Sequence, residues 1–280
     1  MKTAIVTGAN SGIGKETARE LANHGYRVGM VCRNRAKAEN ARKEIIDATG
    51  NDEIDIFIAD LSLIKNVSAV AESILDQYER LDRLVNNAGI LPDGDRKETE
   101  EGLELTFAVN HMAYFALTQK LMPLLEKTDG ARIVNVASDA SRSGSFDPDN
   151  LQLKTNYSTL KAYGNSKLFN IMFTRQLAKE IEGKDISTFS LHPGVVNTNF
   201  ASESDSWFAK FFNIGRLFMR SPEKGAETSV YLCLEDGIEH LSGSYFRDQK
   251  PVTPVKAAQS DKDCRTLWEI SEKVLNNILS

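Results

Sequence analysis

The chain has 280 residues, of which 41% are hydrophobic and 26% charged, enough apolar material for one large α/β domain. Its 34 basic and 39 acidic side chains are interspersed and leave a net charge of −5, which excludes the basic stripe of a nucleic-acid binder. Cys32, Cys233 and Cys264 have no metal-ligand spacing, which implies a reducing, cytoplasmic setting and no required metal.

The first strand-like run starts at Lys2 and no apolar stretch approaches a bilayer span, so the expectation is a chain with neither signal peptide nor transmembrane segment. In chain order, Thr3–Val6 reads as a strand, Gly14–His24 as a helix, Tyr26–Cys32 as a second strand and Arg35–Ala48 as a basic helix. Ile54–Ala59 and Arg83–Asn86 are strands three and four, with a helix over Leu63–Arg80 between them. A long helix over Leu103–Leu125 precedes strand five, Ala131–Ala137, and another over Ser158–Ile181 precedes strand six, Ile186–Leu191. Pro222–Leu234 is helical, Gly243–Phe246 is strand seven, and Asp261–Leu279 is a terminal helix. This rhythm predicts an α/β, single-domain Rossmann fold: a doubly wound parallel seven-stranded sheet with helices on both faces. The irregular stretches Asp139–Thr155 and Asn197–Ser221 are long for loops in a compact domain and point to function.

Thr7 to Gly14 joins the first strand to the first helix. Gly8, Asn10, Ser11, Gly12, Ile13 and Gly14 read as a dinucleotide loop, because glycines let the backbone approach a pyrophosphate and a helix N-terminus offers unpaired N–H groups. An ordinary glycine-rich turn would look similar, but its place at the first βα junction favours the cofactor. Strand two ends in Cys32-Arg33-Asn34. A carboxylate there would mark NAD; Arg33 instead offers a bidentate grip on the 2′-phosphate of NADP(H), with Asn34 and Lys37 beside it.

Tyr163 and Lys167 stand four apart on a helix and so share a face. A nearby ammonium favours the phenolate, bringing the tyrosine down from about 10 toward working pH and making it an acid/base for an alcohol and its carbonyl. Ser138 ends strand five, at the edge where ligands of such sheets bind, and could bond a substrate oxygen. Asn110 sits within a predicted helix, where asparagine is a poor choice without a reason.

Together these motifs resemble the short-chain dehydrogenase/reductase family over essentially the whole chain, and within it the retinol-dehydrogenase-like group. The resemblance is carried by the Thr7–Gly14 loop, Asp60, Asn86-Asn87-Ala88-Gly89, Asn110, Ser138, Tyr163 with Lys167, and Pro193-Gly194 through Thr198. Val31-Cys32-Arg33-Asn34, Ser221 to Ala226, Leu267-Trp268-Glu269 and the long Ser138-to-Tyr163 spacing point to the subgroup. The resemblance implies an Asn110–Ser138–Tyr163–Lys167 tetrad, with Tyr163 as acid/base, Ser138 polarising the carbonyl, Lys167 holding the nicotinamide ribose and Asn110 kinking its helix beside a relay water. It also implies that Asp60 meets the adenine, that Asn87 lies along the cofactor, that the Val196 backbone and the Thr198 hydroxyl receive the carboxamide, and that Leu61, Ala88, Gly89, Pro193 and Gly194 belong to the same cofactor site.

The expected function is therefore hydride transfer between NADP(H) and a carbonyl or alcohol of a bulky apolar small molecule. A catalytically silent NADP-binding regulator and a C=C reductase are the alternatives. The aromatic-rich segment 197–221 is expected to be a substrate lid, with a packed helix or a membrane-docking surface as the other readings. The long helices carrying Asn110 and Tyr163 resemble the pair that family members pack across a two-fold axis, so a homodimer is expected. His111 reads as a packing residue, His192 as part of the exit from strand six, and Asp93–Glu104 as a solvated loop and helix start.

Overall fold

The computed structural model describes residues 1–195 and 220–280. Strands β1 (Thr3–Thr7), β2 (Arg27–Cys32), β3 (Ile54–Ile58), β4 (Arg83–Asn86), β5 (Ala131–Val136), β6 (Ile186–His192), β7 (Tyr245–Arg247) and β8 (Lys250–Val252) form one sheet, in the order β3-β2-β1-β4-β5-β6-β7-β8. The first seven run parallel, in the predicted doubly wound arrangement. The eighth is an addition: β8 folds back antiparallel on β7 through Asp248 and Gln249, both in the left-handed region at φ 49° and 62°. Two positive φ values are what a tight hairpin demands, but Asp-Gln lacks the glycine that advertises such a turn in a sequence.

Along the strands, alternate residues enter opposite cores, as the pleat requires. Ala4 and Val6 join α1 (Gly12–Asn23), α2 (Arg35–Thr49) and α6 (Pro222–Leu234) on one face. Ile5 points to the other face, where α3 (Ile64–Gln77), α4, α5 (Thr159–Glu180) and α7 (Asp261–Leu279) pack. Helix α4 is α-helical over Leu105–Phe107, makes a π-turn over Ala108–Met112 and is α-helical again over Ala113–Glu126.

Local chemistry sets the helix starts. Asn34 caps α2, Ser158 caps α5, Ser221 caps α6 and Ser260 caps α7, each accepting a backbone N–H from the first turn. The segment 93–104 is more than a solvated loop. Glu101 reaches across to accept the N–H groups of Ile64 and Lys65 at 2.6 and 2.9 Å, capping α3 from outside, while the buried Glu104 caps the start of α4.

Helix α7 lies over α4 and α5. Its Trp268 stacks on Phe173 and meets the edge of Phe115, and Leu267, Cys264 and Leu275 are buried around it. The chain's own C-terminal helix thus covers part of each of the two long helices that carry Asn110 and Tyr163. Among the described residues no helix is long and apolar enough to cross a membrane.

Candidate active site

The strand order reverses between β1 and β4, and the crevice outside the carboxyl ends of such strands is where α/β sheets bind ligands. The loop after β1 and the loop after β4 meet there. Thr7 Oγ1 accepts the N–H groups of Asn87 and Ala88, each at 2.9 Å, and Asn87 Nδ2 donates to the Thr7 carbonyl at 2.8 Å. The amide of Asn87, expected along the cofactor, is therefore also a strut between loops. A Cβ on Gly14 would stand 2.4 Å from both Asn87 Nδ2 and the Gly8 carbonyl oxygen, so only glycine fits. Gly8 and Gly12 take left-handed conformations at φ 68° and 56°. Ser11 is the N-cap residue of α1 but its side chain makes no capping bond, so the first-turn N–H groups of Gly12, Ile13 and Gly14 remain open to a ligand. Asn10 is half-buried beside them.

At the end of β2, Arg33 is exposed and its guanidinium makes no hydrogen bond or ion pair with the described residues. Asn34 Oδ1 accepts the Lys37 N–H at 2.9 Å, so that oxygen is committed to the start of α2. Asp60 Oδ1 accepts the Ser62 N–H at 2.9 Å, and the Leu61 side chain is buried in the core.

Asn110 lies in the π-turn, fully buried. Its Oδ1 accepts the Ile90 N–H at 2.8 Å, and its Nδ2 donates to the Ile90 carbonyl and to Ser166 Oγ, both at 3.0 Å. One amide thus clamps the chain just beyond Gly89 to α4 and α5. Ser138 opens a 3₁₀ turn over Asp139–Ser143 and accepts the Ala140 N–H at 3.1 Å, while its hydroxyl is hydrogen-bonded to Tyr163. Burial pushes the Tyr163 hydroxyl up to about 12, against the smaller downward pull of Ser138. Lys167 is 3% exposed and burial lowers it to about 7. Its Nζ donates to the Val136 carbonyl at 3.0 Å and stands 5.7 Å from the Tyr163 ring centroid. The lowering expected from this ammonium is not found: burial dominates, Ser138 opposes it, and the lysine is turned toward Val136.

Pro193 and Gly194 follow β6; Gly194 has φ 87°, and the Arg220 stem lies where its Cβ would be. Val196, Thr198 and the proposed lid, apart from Arg220 and Ser221, lie outside the described residues. Beside Gly194 is an open pocket of about 340 Å³ lined by Asp139, His192, Arg220, Arg247 and Asp248. Asp139 accepts from Arg247 and, at 3.3 Å, from the Tyr245 hydroxyl, while Arg220 donates to Asp248 at 2.6 Å. No spacing in the sequence could have united these groups, which only the pairing of β5, β6 and β7 brings together. A second hollow of about 420 Å³, between α1 and α6 around Glu16, Arg19 and Glu223, lies among none of the predicted residues. No group of three or more His, Cys, Asp or Glu among the described residues is placed to hold a metal ion.

The family model described as "short chain dehydrogenase" matches residues 2–209. Retinol dehydrogenase 12 of Homo sapiens is 39% identical over 274 residues, covering 98% of this chain and 86% of that protein. A crystal structure of a protein from Mycobacterium paratuberculosis superposes with a TM-score of 0.79 at 29% identity, over 99% of this chain and 94% of the other. A protein of Escherichia coli CFT073 complexed with NADPH superposes with a TM-score of 0.70 at 26% identity, over 89% of this chain and 97% of the other.

Proposed function

The chain belongs to the short chain dehydrogenase family of nicotinamide-dependent oxidoreductases, and on that premise we propose that it uses NADP(H) to interconvert a carbonyl and an alcohol on a bulky, apolar small molecule. The observation that carries this reading is the contact of Tyr163 with Ser138 at the carboxyl end of β5, with Lys167 buried one helical turn away. The open first turn of α1 fits a diphosphate, and the exposed Arg33, unpaired among the described residues, fits a 2′-phosphate. Val31 precedes the buried Cys32 and no acid stands nearby in that turn to repel it. The three free cysteines are buried, which suits a cytoplasmic enzyme. Similarity to retinol dehydrogenases 12 and 14 supports an apolar alcohol or carbonyl as substrate.

A bound nicotinamide supplies or accepts the hydride at the substrate carbon. The chain's own residues handle the proton. In reduction, Ser138 donates to the carbonyl oxygen and polarises it, and the protonated Tyr163 hydroxyl gives its proton to that oxygen as the new C–H bond forms. In oxidation the tyrosine oxygen takes the alcohol proton. Lys167, once turned from Val136 toward the cofactor ribose, brings a positive charge that eases the tyrosine's loss of its proton. Asn110 keeps the loop beyond Gly89 and the helix bearing Tyr163 in one register.

The test is a panel of ketones and aldehydes, including a series of aliphatic aldehydes of increasing length, with NADPH. Tyr163→Phe is expected to cut turnover by roughly 10²–10⁴-fold with NADPH affinity retained. The kcat/KM values are expected to climb along the series, by up to about 0.8 kcal/mol of binding per methylene. Tight NADPH binding without turnover on any carbonyl would return the protein to the class of silent NADP sensors.

A further inference from the structure

Behind Lys167 runs a line of buried polar side chains that hydride transfer does not use. Lys167 Nζ and Asn170 Nδ2 donate to the same oxygen, the Val136 carbonyl, at 3.0 and 3.3 Å. Asn170 is completely buried, and neither its Oδ1 nor His111 Nδ1 has a hydrogen-bond partner among the described residues. The two side chains are neighbours, and the amide favours the charged ring, though less than burial disfavours it. His111 sits in the π-turn of α4, packed against Phe107, Phe115, Phe169 and Phe173. Its Nε2 is 2.9 Å from Ser271 Oγ on α7. The line therefore passes from α7 through α4 and α5 to β5 and ends at the ammonium.

Counting protons gives it a direction. Burial lowers His111 to about 3, so the ring is neutral and carries one N–H. Asn170 spends its N–H on Val136, which leaves Oδ1 as the open acceptor that a small rotation would bring onto His111 Nδ1–H. His111 Nε2 is then an acceptor and takes the Ser271 hydroxyl proton, for which the Leu267 carbonyl at 2.8 Å competes. The opposite tautomer would set the Nδ1 lone pair against Asn170 Oδ1 in a buried site, an arrangement that leaves both unsatisfied.

We propose that Asn170, oriented by His111 and Ser271, is a positioning residue for Lys167: by sharing the Val136 carbonyl it lets the ammonium turn toward Tyr163 without stranding a buried acceptor. This rests on Lys167 working beside Tyr163. Tyr163 on its own helix and Tyr114 on α4, with ring centroids 5.7 and 5.9 Å from Nζ, are the titratable groups that face it among the described residues. His111 stays neutral throughout, so changes in a pH profile report the lysine–tyrosine pair.

The experiment uses the full chain with NADP and an alcohol from the panel, comparing wild type, Asn170→Leu and Ser271→Ala. Asn170→Leu leaves Val136 to Lys167 alone and holds the ammonium there. The ascending limb of kcat/KM for alcohol oxidation is expected to move up by about half to one pH unit, and kcat to fall roughly three- to tenfold with alcohol KM nearly unchanged. Ser271→Ala, remote from the reacting atoms and mild enough to fold, frees His111 to change tautomer and turn the Asn170 amide; it is expected to shift the limb in the same direction by less. Nuclear magnetic resonance titration of the Lys167 side chain without substrate gives a second readout, an upward shift in both variants. A wild-type profile and titration in both variants overturns the proposal. Shifted titrations together with an active Lys167→Met enzyme would uphold the positioning of the lysine and overturn its catalytic reading.

Discussion

Arg33 and Lys167 show how one charged side chain behaves at opposite extremes of solvent access. Arg33 is exposed and unpaired among the described residues, ready for a ligand rather than for the fold. Arg33→Ala is expected to weaken NADPH by about 1.5–3 kcal/mol, the loss of a charge-assisted pair, and to leave NADH nearly untouched. The ratio of kcat/KM for the two cofactors measures this; an unchanged ratio would place the 2′-phosphate elsewhere. Lys167 is buried, and its value near 7 in the folded chain compares with 10.5 for a free lysine. Between these limits the unfolded chain holds a proton that the folded chain has released, so stability rises with pH across that window. Below it the ammonium is a full burden on the folded state. Lys167→Met is therefore expected to raise Tm, each kcal/mol recovered being worth about 2–4 °C. The gain is greatest below pH 7 and shrinks as pH approaches 10. Asn170 still satisfies the Val136 carbonyl in that variant. A gain that grew with pH would refute the assignment of the burden to this lysine.

At the scale of elements, helix ends and a helix defect position the site. Helix α3 begins at Ile64 after Leu63, a residue that cannot cap, and takes its cap from Glu101 in a loop distant in sequence. Glu101→Ala is expected to cost about 1 kcal/mol, the usual worth of a helix cap, read as a lower denaturant midpoint with an unchanged slope. Because Asp60 opens the turn into the same helix, NADPH affinity is expected to weaken with it, and wild-type stability would show that solvent replaces the carboxylate. The π-turn at Ala108–Met112 has a different origin. Asn110 spends its amide on Ile90 and Ser166, and the extra residue in the turn aims that side chain across to α5 rather than along its own helix.

The whole molecule has two cores divided by the sheet, and α7 completes one of them. With Trp268 seated on Phe115 and Phe173, α7 covers an aromatic surface shared by α4 and α5. The protein is therefore expected to be a monomer at micromolar concentration by light scattering. Removal of residues 261–280 is expected to expose this aromatic surface and drive self-association. A full-length dimer would show that another surface carries the interface. The same helix supplies Ser271 to the line ending at Lys167, so α7 bears on both the oligomeric state and the site.

By itself the sequence determined the repeated βα rhythm, the sheet's parallel order, the glycine loop and the pairing of Tyr163 with Lys167, because each is written in short-range periodicity or in residues that a single turn brings together; Ser138, 25 residues from Tyr163, joined them only through the family resemblance. The i, i+4 spacing of Tyr163 and Lys167 is a property of any α-helix. Other features became visible only in three dimensions. The hairpin strand β8 hides behind Asp248-Gln249, a turn with no glycine. The capping by Glu101, the meeting of Asp139 with Arg247 and the His111–Asn170 pair join residues far apart in the chain, and no local pattern encodes such partners. The turn of Lys167 toward Val136, and the rise of Tyr163 to about 12, were likewise decided by burial. Desolvation depends on everything packed around a group, and that is a property of the assembled fold rather than of any stretch of sequence.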